Sequence, residues 1–115
     1  MDATGAEVLD LERTQRELEL LVGHALGAAS TLEEVVECAR AAATLGEPAL
    51  LERVALRIAT EVQAATEGSG AWEAELLYSK GEAWQQTGRR ARLLAEAWGY
   101  VSPGLRRAEV GAGTP

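Results

Sequence analysis

The chain carries few of the side chains that catalyse reactions or bind metals. Among its 115 residues there is one His, His24, and one Cys, Cys38. They could in principle form a nucleophile–base pair, but no motif places them together. A zinc site needs several His or Cys ligands, and a carboxylate metal site is often completed by a Glu-x-x-His motif, which the sequence lacks. We therefore expect no catalytic residue, metal or cofactor, and we predict that Cys38 is a small core residue.

Two other patterns have simple structural explanations. Glu33, Glu34 and Glu37 cluster on one predicted helix, which is typical of a solvent-exposed acidic face. Gly68-Ser69-Gly70 is too short for a phosphate-binding loop, and no Gly-Lys-Ser/Thr follows it. We interpret this segment as a linker.

The arginines are the residues best suited to a charged partner. The formal net charge is −7, but residues 1–82 carry −10 and residues 83–115 carry +3. A predicted helix start at position 89 would place three arginines where a helix N-terminus favours phosphate, and two more lie nearby. The acidic total opposes nucleic-acid binding, so pairing with acidic groups of this chain or of another subunit is the preferred interpretation. The five residues of the nucleic-acid alternative are Arg89, Arg90, Arg92, Arg106 and Arg107.

The tryptophans are the best sequence clue to a binding surface. All three, Trp72, Trp84 and Trp98, lie in the last two predicted helices. Tryptophan and arginine are enriched at binding hot spots, although a Trp side chain is also large and often half-buried in a core. Both interpretations stay open at this point. The residues predicted to bind a protein partner are Trp72, Leu77, Tyr78, Trp84, Arg89, Arg90 and Trp98.

Helical periodicity describes the whole chain, and no segment alternates at period two over a useful length. Thr31 and Glu34 have capping-box spacing, Gly46 and Pro48 separate two helices, and Thr87-Gly88 and Ser102-Pro103-Gly104 are predicted stops. We predict an all-α fold of about five antiparallel helices, either a bundle or a short superhelical array. The single domain covers 1–103, with a flexible tail over 104–115 and helices at about 6–28, 31–45, 48–66, 71–86 and 89–101.

The first predicted helix carries a heptad-like stripe that includes one polar residue. It consists of Val8, Leu11, Gln15, Leu18 and Val22. One interpretation is an amphipathic helix that packs on its own domain. The other is a dimer seam in which Gln15 fixes the register.

An internal repeat of 42 residues is a further hypothesis. At that offset Gly46 aligns with Gly88, and six identities fall within residues 33–55. The stretch 77–88 resembles the first helix and turn of a tetratricopeptide repeat, because Gly81, Trp84 and Gly88 have that family's spacing. Leu93, Ala97 and Pro103 depart from the pattern of the following helix. The resemblance implies a helical scaffold that binds proteins or peptides.

Acidic residues near the start, Asp2, Glu7 and Asp10, argue against a secretory signal, and no apolar stretch approaches a membrane span. We therefore expect a cytoplasmic protein without membrane contact, and one Lys against ten Arg suggests a bacterial or phage gene. The sequence favours a noncatalytic interaction or assembly module that binds itself or a protein partner through the C-terminal helical hairpin. The alternative is a phage or bacterial nucleic-acid-associated regulator that uses the arginines.

Overall fold

Four helices form the part of the chain that the computed structural model describes, which is residues 3–67 and 81–113. In chain order they are α1 (Ala3–Ala28), α2 (Leu32–Leu45), α3 (Pro48–Thr66) and α4 (Glu82–Gly113). The all-α prediction is confirmed, since these residues contain no strand. The predicted linker at 68–70 and most of the predicted helix at 71–86 lie outside the described residues.

Both ends of α2 and the start of α3 lie where local sequence signals place them. Thr31 is the N-cap of α2: its hydroxyl accepts a hydrogen bond from the Glu34 N–H at 3.2 Å, and its own N–H donates to Glu34 Oε1 at 3.0 Å. Gly46 ends α2 with φ of 75°, and its N–H donates to the Ala42 carbonyl at 2.8 Å. Pro48 occupies the first turn of α3. The capping box and the α2–α3 turn are therefore confirmed.

Helices α2 and α3 hold the core together, because both α1 and α4 pack against them. α4 runs in the same direction as α2, since Arg89 meets Glu33 at the start of α2 while Gly104 lies against Leu51 near the start of α3. Small side chains on α2 let its neighbours approach closely. The most deeply buried residues are Val35, Ala39, Ala42, Leu51, Val54, Ala97 and Val101.

Helix α4 continues through Gly88, so the predicted turn at Thr87-Gly88 is wrong. A glycine inside a helix costs only about 1 kcal/mol relative to Ala. The segment that follows buries Leu93, Leu94 and Ala97 on one side of the helix. Burying even one such leucine contributes about 1.5–3 kcal/mol, so core packing outweighs the cost of Gly88.

The predicted stop at Ser102-Pro103-Gly104 is also wrong, and residues 104–113 of the predicted flexible tail belong to α4. Pro103 lacks the N–H that would bond to the carbonyl four residues earlier. Val101 and Ser102 are buried before it, and Leu105 packs against the core after it. A Cβ on Gly104 would lie 2.6 Å from Leu51 Cδ1, so this glycine permits a close approach of α4 to α3. Because of these contacts, the helix continues past the proline in spite of the missing hydrogen bond.

The two glycines of the repeat hypothesis occupy different backbone conformations. Gly46 ends a helix at positive φ, whereas Gly88 lies inside α4. Gly81, which the tetratricopeptide pattern places within a helix, precedes α4 with φ of 104°, and its carbonyl accepts from the Gln85 N–H at 3.0 Å. The turn that aligned Gly88 with Gly46 is therefore absent, while the family resemblance itself stays a prediction.

Helix α1 runs antiparallel to α2 and extends beyond it. The Gln15 side-chain amide lies 3.5 Å from the carbonyl of Leu45, the last residue of α2. Residues 3–14 therefore project past that end by about 18 Å, at about 1.5 Å per residue. The radius of gyration is 18.5 Å, against about 13 Å for a compact chain of this length. Within the described part of the chain, the projecting start of α1 therefore has no partner in α2.

Candidate interaction surfaces

One side of α4 presents two exposed tryptophans separated by small residues. Trp84 and Trp98 are 53% and 46% exposed. They are 14 residues apart, close to four helical turns, so they lie on the same side of α4 about 21 Å from each other. The residues between them on this side are exposed as well. We call this surface the tryptophan face, and it consists of Trp84, Gly88, Ala91, Ala95 and Trp98.

Among residues 3–67 and 81–113, nothing requires the small size of Gly88. A Cβ built there would meet no atom within 4 Å. The glycine nevertheless weakens α4, because Ala is the better helix former by about 1 kcal/mol. Small residues on an exposed face allow the backbone of another helix to approach closely. The combination of a shallow centre and two indoles at its ends suits a docked helix.

A second apolar surface lies on α1. Leu11, Leu18 and Leu21 are 71%, 41% and 64% exposed, and the helical spacing places them on one side. We call this surface the leucine face. Complete burial of an exposed leucine contributes about 1.5–3 kcal/mol, so each of these side chains would gain the share of it that matches its exposed fraction. Exposed apolar side chains grouped in this way are typical of a protein–protein contact surface.

The residues of the predicted dimer seam have different surroundings along α1. Leu11 and Leu18 belong to the exposed leucine face. Gln15 contacts α2 through Leu45, and Val22 packs against the core. The side chain of Val8 lies outside the described residues. Gln15 therefore has a structural role within the chain, as part of the contact between α1 and the end of α2.

The two faces are flanked by opposite charges. Leu11 lies between Asp10 and Glu12, and Leu18 lies between Glu17 and Glu19. At the centre of the tryptophan face, Ala91 lies between Arg90 and Arg92, which are both exposed. All of α1 contains five acidic and two basic side chains, whereas α4 contains three acidic and five basic ones. The leucine face is thus acidic at its borders and the tryptophan face basic.

The predicted phosphate site at a helix N-terminus is absent. Because α4 begins at Glu82, the three arginines at 89, 90 and 92 lie about two to three turns inside the helix. The effect of the N-terminal dipole falls off within the first turn. Arg89 forms an ion pair with Glu33 of α2, as the preferred interpretation of the arginines expected. Arg106 and Arg107 are exposed near the other end of α4. The hypothesis of nucleic-acid binding is therefore supported by the sequence alone.

Arg57 has a structural role that the sequence pattern did not indicate. Arg53, Arg57 and Glu61 follow one another at four-residue spacing, a pattern typical of a solvent-exposed charged face. Instead the Arg57 guanidinium donates to the carbonyls of Leu26 at 3.1 Å and Ala29 at 2.7 Å, where α1 ends, and to Glu61 at 2.9 Å. These acceptors on α1 are backbone carbonyls, which leave no signature in side-chain spacing. Arg57 therefore caps the C-terminal end of α1, where the Leu26 carbonyl also accepts from the Ala29 N–H at 3.2 Å.

The residues considered for catalysis are separated by burial. Cys38 is buried in the core, and this burial, reinforced by nearby Glu34, raises the pKa of its thiol. A raised pKa disfavours the nucleophilic thiolate. His24 is exposed on α1, and no hydrogen bond joins it to Cys38. Within residues 3–67 and 81–113, no group of three His, Cys, Asp or Glu is arranged to hold a metal ion.

The predicted protein-binding residues are only partly within the described chain. Trp84, Trp98 and Arg90 are exposed as a binding role requires, while Arg89 is paired with Glu33. Trp72, Leu77 and Tyr78 lie outside the described residues. Leu21 is an exposed residue outside the predicted stripe, and its position three residues after Leu18 places it on the same side of α1.

No protein-family model, curated protein or solved structure matches this chain. Of the helices in the described segments, none is both long enough and apolar enough to cross a membrane.

Proposed function

We propose that this protein is a noncatalytic helical interaction or assembly module that binds a protein, either another chain or a second copy, through the tryptophan face. The observation that carries the proposal is the exposure of Trp84 and Trp98 on one side of α4. Such anchors, with small residues between them, suit helix-in-groove recognition, in which an amphipathic helix buries its apolar side.

Energetics support a binding role for these indoles. Aromatic side chains bury 150–250 Å² each, and apolar burial contributes about 25 cal/mol per Å². Half-exposed tryptophans therefore leave a large part of that energy unused in the isolated chain. Tryptophan is among the residues whose truncation costs binding the most. The noncatalytic part of the proposal rests on the scarcity of catalytic side chains and the burial of Cys38.

The test is affinity capture with matched surface variants. The wild-type chain, a Trp84→Ser/Trp98→Ser double variant and a Leu56→Ser control are immobilised and exposed to purified wild-type chain and to lysate. Leu56 is 69% exposed on α3, outside the tryptophan face, so its variant controls for lost apolar surface. Circular dichroism confirms that all three have the same helix content.

We expect a bound protein, whether the chain itself or another, to be retained by the wild type and the Leu56 variant and lost by the double variant. Retention of the same proteins by all three would contradict the proposal. So would the absence of any retained protein together with a monomeric mass at every concentration.

A further inference from the structure

We infer that the tryptophan face is occupied by the leucine face of α1 from a second copy of this chain. This inference rests on the proposed function and adds the identity of the partner. Both surfaces are exposed, apolar and helical, and they lie on helices that pack against α2 and α3. A single contact between copies would cover both at once.

The exposed apolar residues of the two faces recur at the same spacing. On α4, Ala91 lies midway between Trp84 and Trp98, seven residues from each. On α1, Leu18 lies seven residues from both Leu11 and exposed Ala25. Seven residues span about 10.5 Å of helix. With Leu18 placed over Ala91, a large side chain meets a small one at the centre, and Leu11 and Ala25 each lie opposite one of the tryptophans.

The charged residues that border the two faces favour pairing of a leucine face with a tryptophan face. Acidic Glu17 and Glu19 border Leu18, while basic Arg90 and Arg92 border Ala91. Two leucine faces packed together would oppose acidic borders, and two tryptophan faces would oppose basic ones. Like charges across an interface are unfavourable, whereas opposite charges select the partner and its register. The α1–α4 pairing between copies is the combination in which both sets of borders are complementary.

The fold leaves α1 available to a second copy. Within one chain α1 packs against α2 and α3. Its residues 3–14 project past the end of α2, where Leu11 is 71% exposed. Because the two faces differ, two copies can exchange them reciprocally in a closed dimer, or successive copies can pair in one direction.

The experiment measures mass in solution by sedimentation velocity over a range of concentrations. The monomer mass is 12.2 kDa, and we expect concentration-dependent association of the wild type. A Glu17→Arg/Glu19→Arg variant and an Arg90→Glu/Arg92→Glu variant should each associate at least about tenfold more weakly, because each opposes like charges at the contact. Mixing the two variants in equal amounts should restore association, since the acidic and basic borders then meet again between unlike chains.

Restoration by mixing cannot come from misfolded variants, so it separates the inference from a general loss of stability. Failure of the mixture to associate while the wild type does would overturn it. A wild-type chain that is monomeric at every concentration would also overturn it. In that case the capture experiment separates the two proposals. If the wild type retains a different protein that the Trp84→Ser/Trp98→Ser variant does not, the proposed function stands and only the second copy is excluded as the occupant.

Discussion

Replacing Arg57 by Ala tests how α1 is attached to the rest of the bundle. The guanidinium bridges from α3 to the Leu26 and Ala29 carbonyls at the end of α1, at 3.1 and 2.7 Å. Only a quarter of this side chain is exposed, at 25%. Its removal leaves the two carbonyls without their charged donor, and Ala29 is itself buried. The variant should therefore lose stability without any change at either candidate interaction face.

The magnitude follows from those two bonds. A hydrogen bond to a charged group contributes about 1.5–3 kcal/mol, and partial exposure of Arg57 favours the lower end for each. The ion pair with Glu61 adds little because it is partly exposed. We expect Arg57→Ala to lower the free energy of unfolding by about 3 kcal/mol, which is two bonds at the lower limit.

Urea unfolding followed by far-UV circular dichroism measures this loss at low protein concentration, and an unchanged denaturant slope shows that the unfolding unit is the same. Arg53→Ala is the matched control, because exposed Arg53 makes one long contact to the Gly23 carbonyl at 3.4 Å. Its loss should stay within about 0.5 kcal/mol. Equal losses for the two variants would refute the assignment of Arg57 as the residue that holds the end of α1.

Two further predictions concern the helices themselves. Gly88→Ala should stabilise the isolated chain by about 1 kcal/mol, whereas Gly104→Ala should destabilise it because its Cβ would lie 2.6 Å from buried Leu51. Thermal unfolding distinguishes these opposite signs, and shifts in the same direction would contradict the packing. Hydrogen bonds from Thr31 and Ser30 lower the pKa of Glu34. The capping box therefore stabilises the fold at pH values above the ordinary carboxyl pKa, and this stabilisation is lost as the pH falls through the lowered pKa. Thr31→Ala should cost about 1 kcal/mol at neutral pH and less in acid, and a pH-independent loss in urea titrations would show that Glu34 does not contribute.

Helix boundaries were predictable where a local hydrogen bond determines them. Thr31 and Glu34 satisfy backbone donors within a few residues of themselves, and Gly46 supplies a positive φ that few other residues adopt. Such interactions depend on neighbours in the sequence. The boundaries expected at Gly88 and Pro103 fail because helix breakers have only a local cost, which distant core contacts of Leu94, Val101 and Leu105 exceed.

The candidate interaction faces were predictable in part. Heptad spacing on α1 identified Leu11 and Leu18, and residue type identified Trp84 and Trp98. Periodicity alone could not show how far α2 extends along α1, so the heptad pattern groups Gln15, which reaches Leu45, with leucines that the structure leaves exposed. That assignment depends on where α2 ends in space, which no pattern within α1 contains.

The sequence by itself determined the all-α class, the first three helices, the burial of Cys38 and the separation of acidic from basic residues. These properties follow from periodicity, local capping and composition, which are encoded within a few turns of chain. Only the tertiary structure decided that α4 is continuous, that Arg57 closes the end of α1 and that two apolar faces stay exposed. Each of these depends on contacts between residues far apart in sequence, and the free energy of those contacts outweighs local preference.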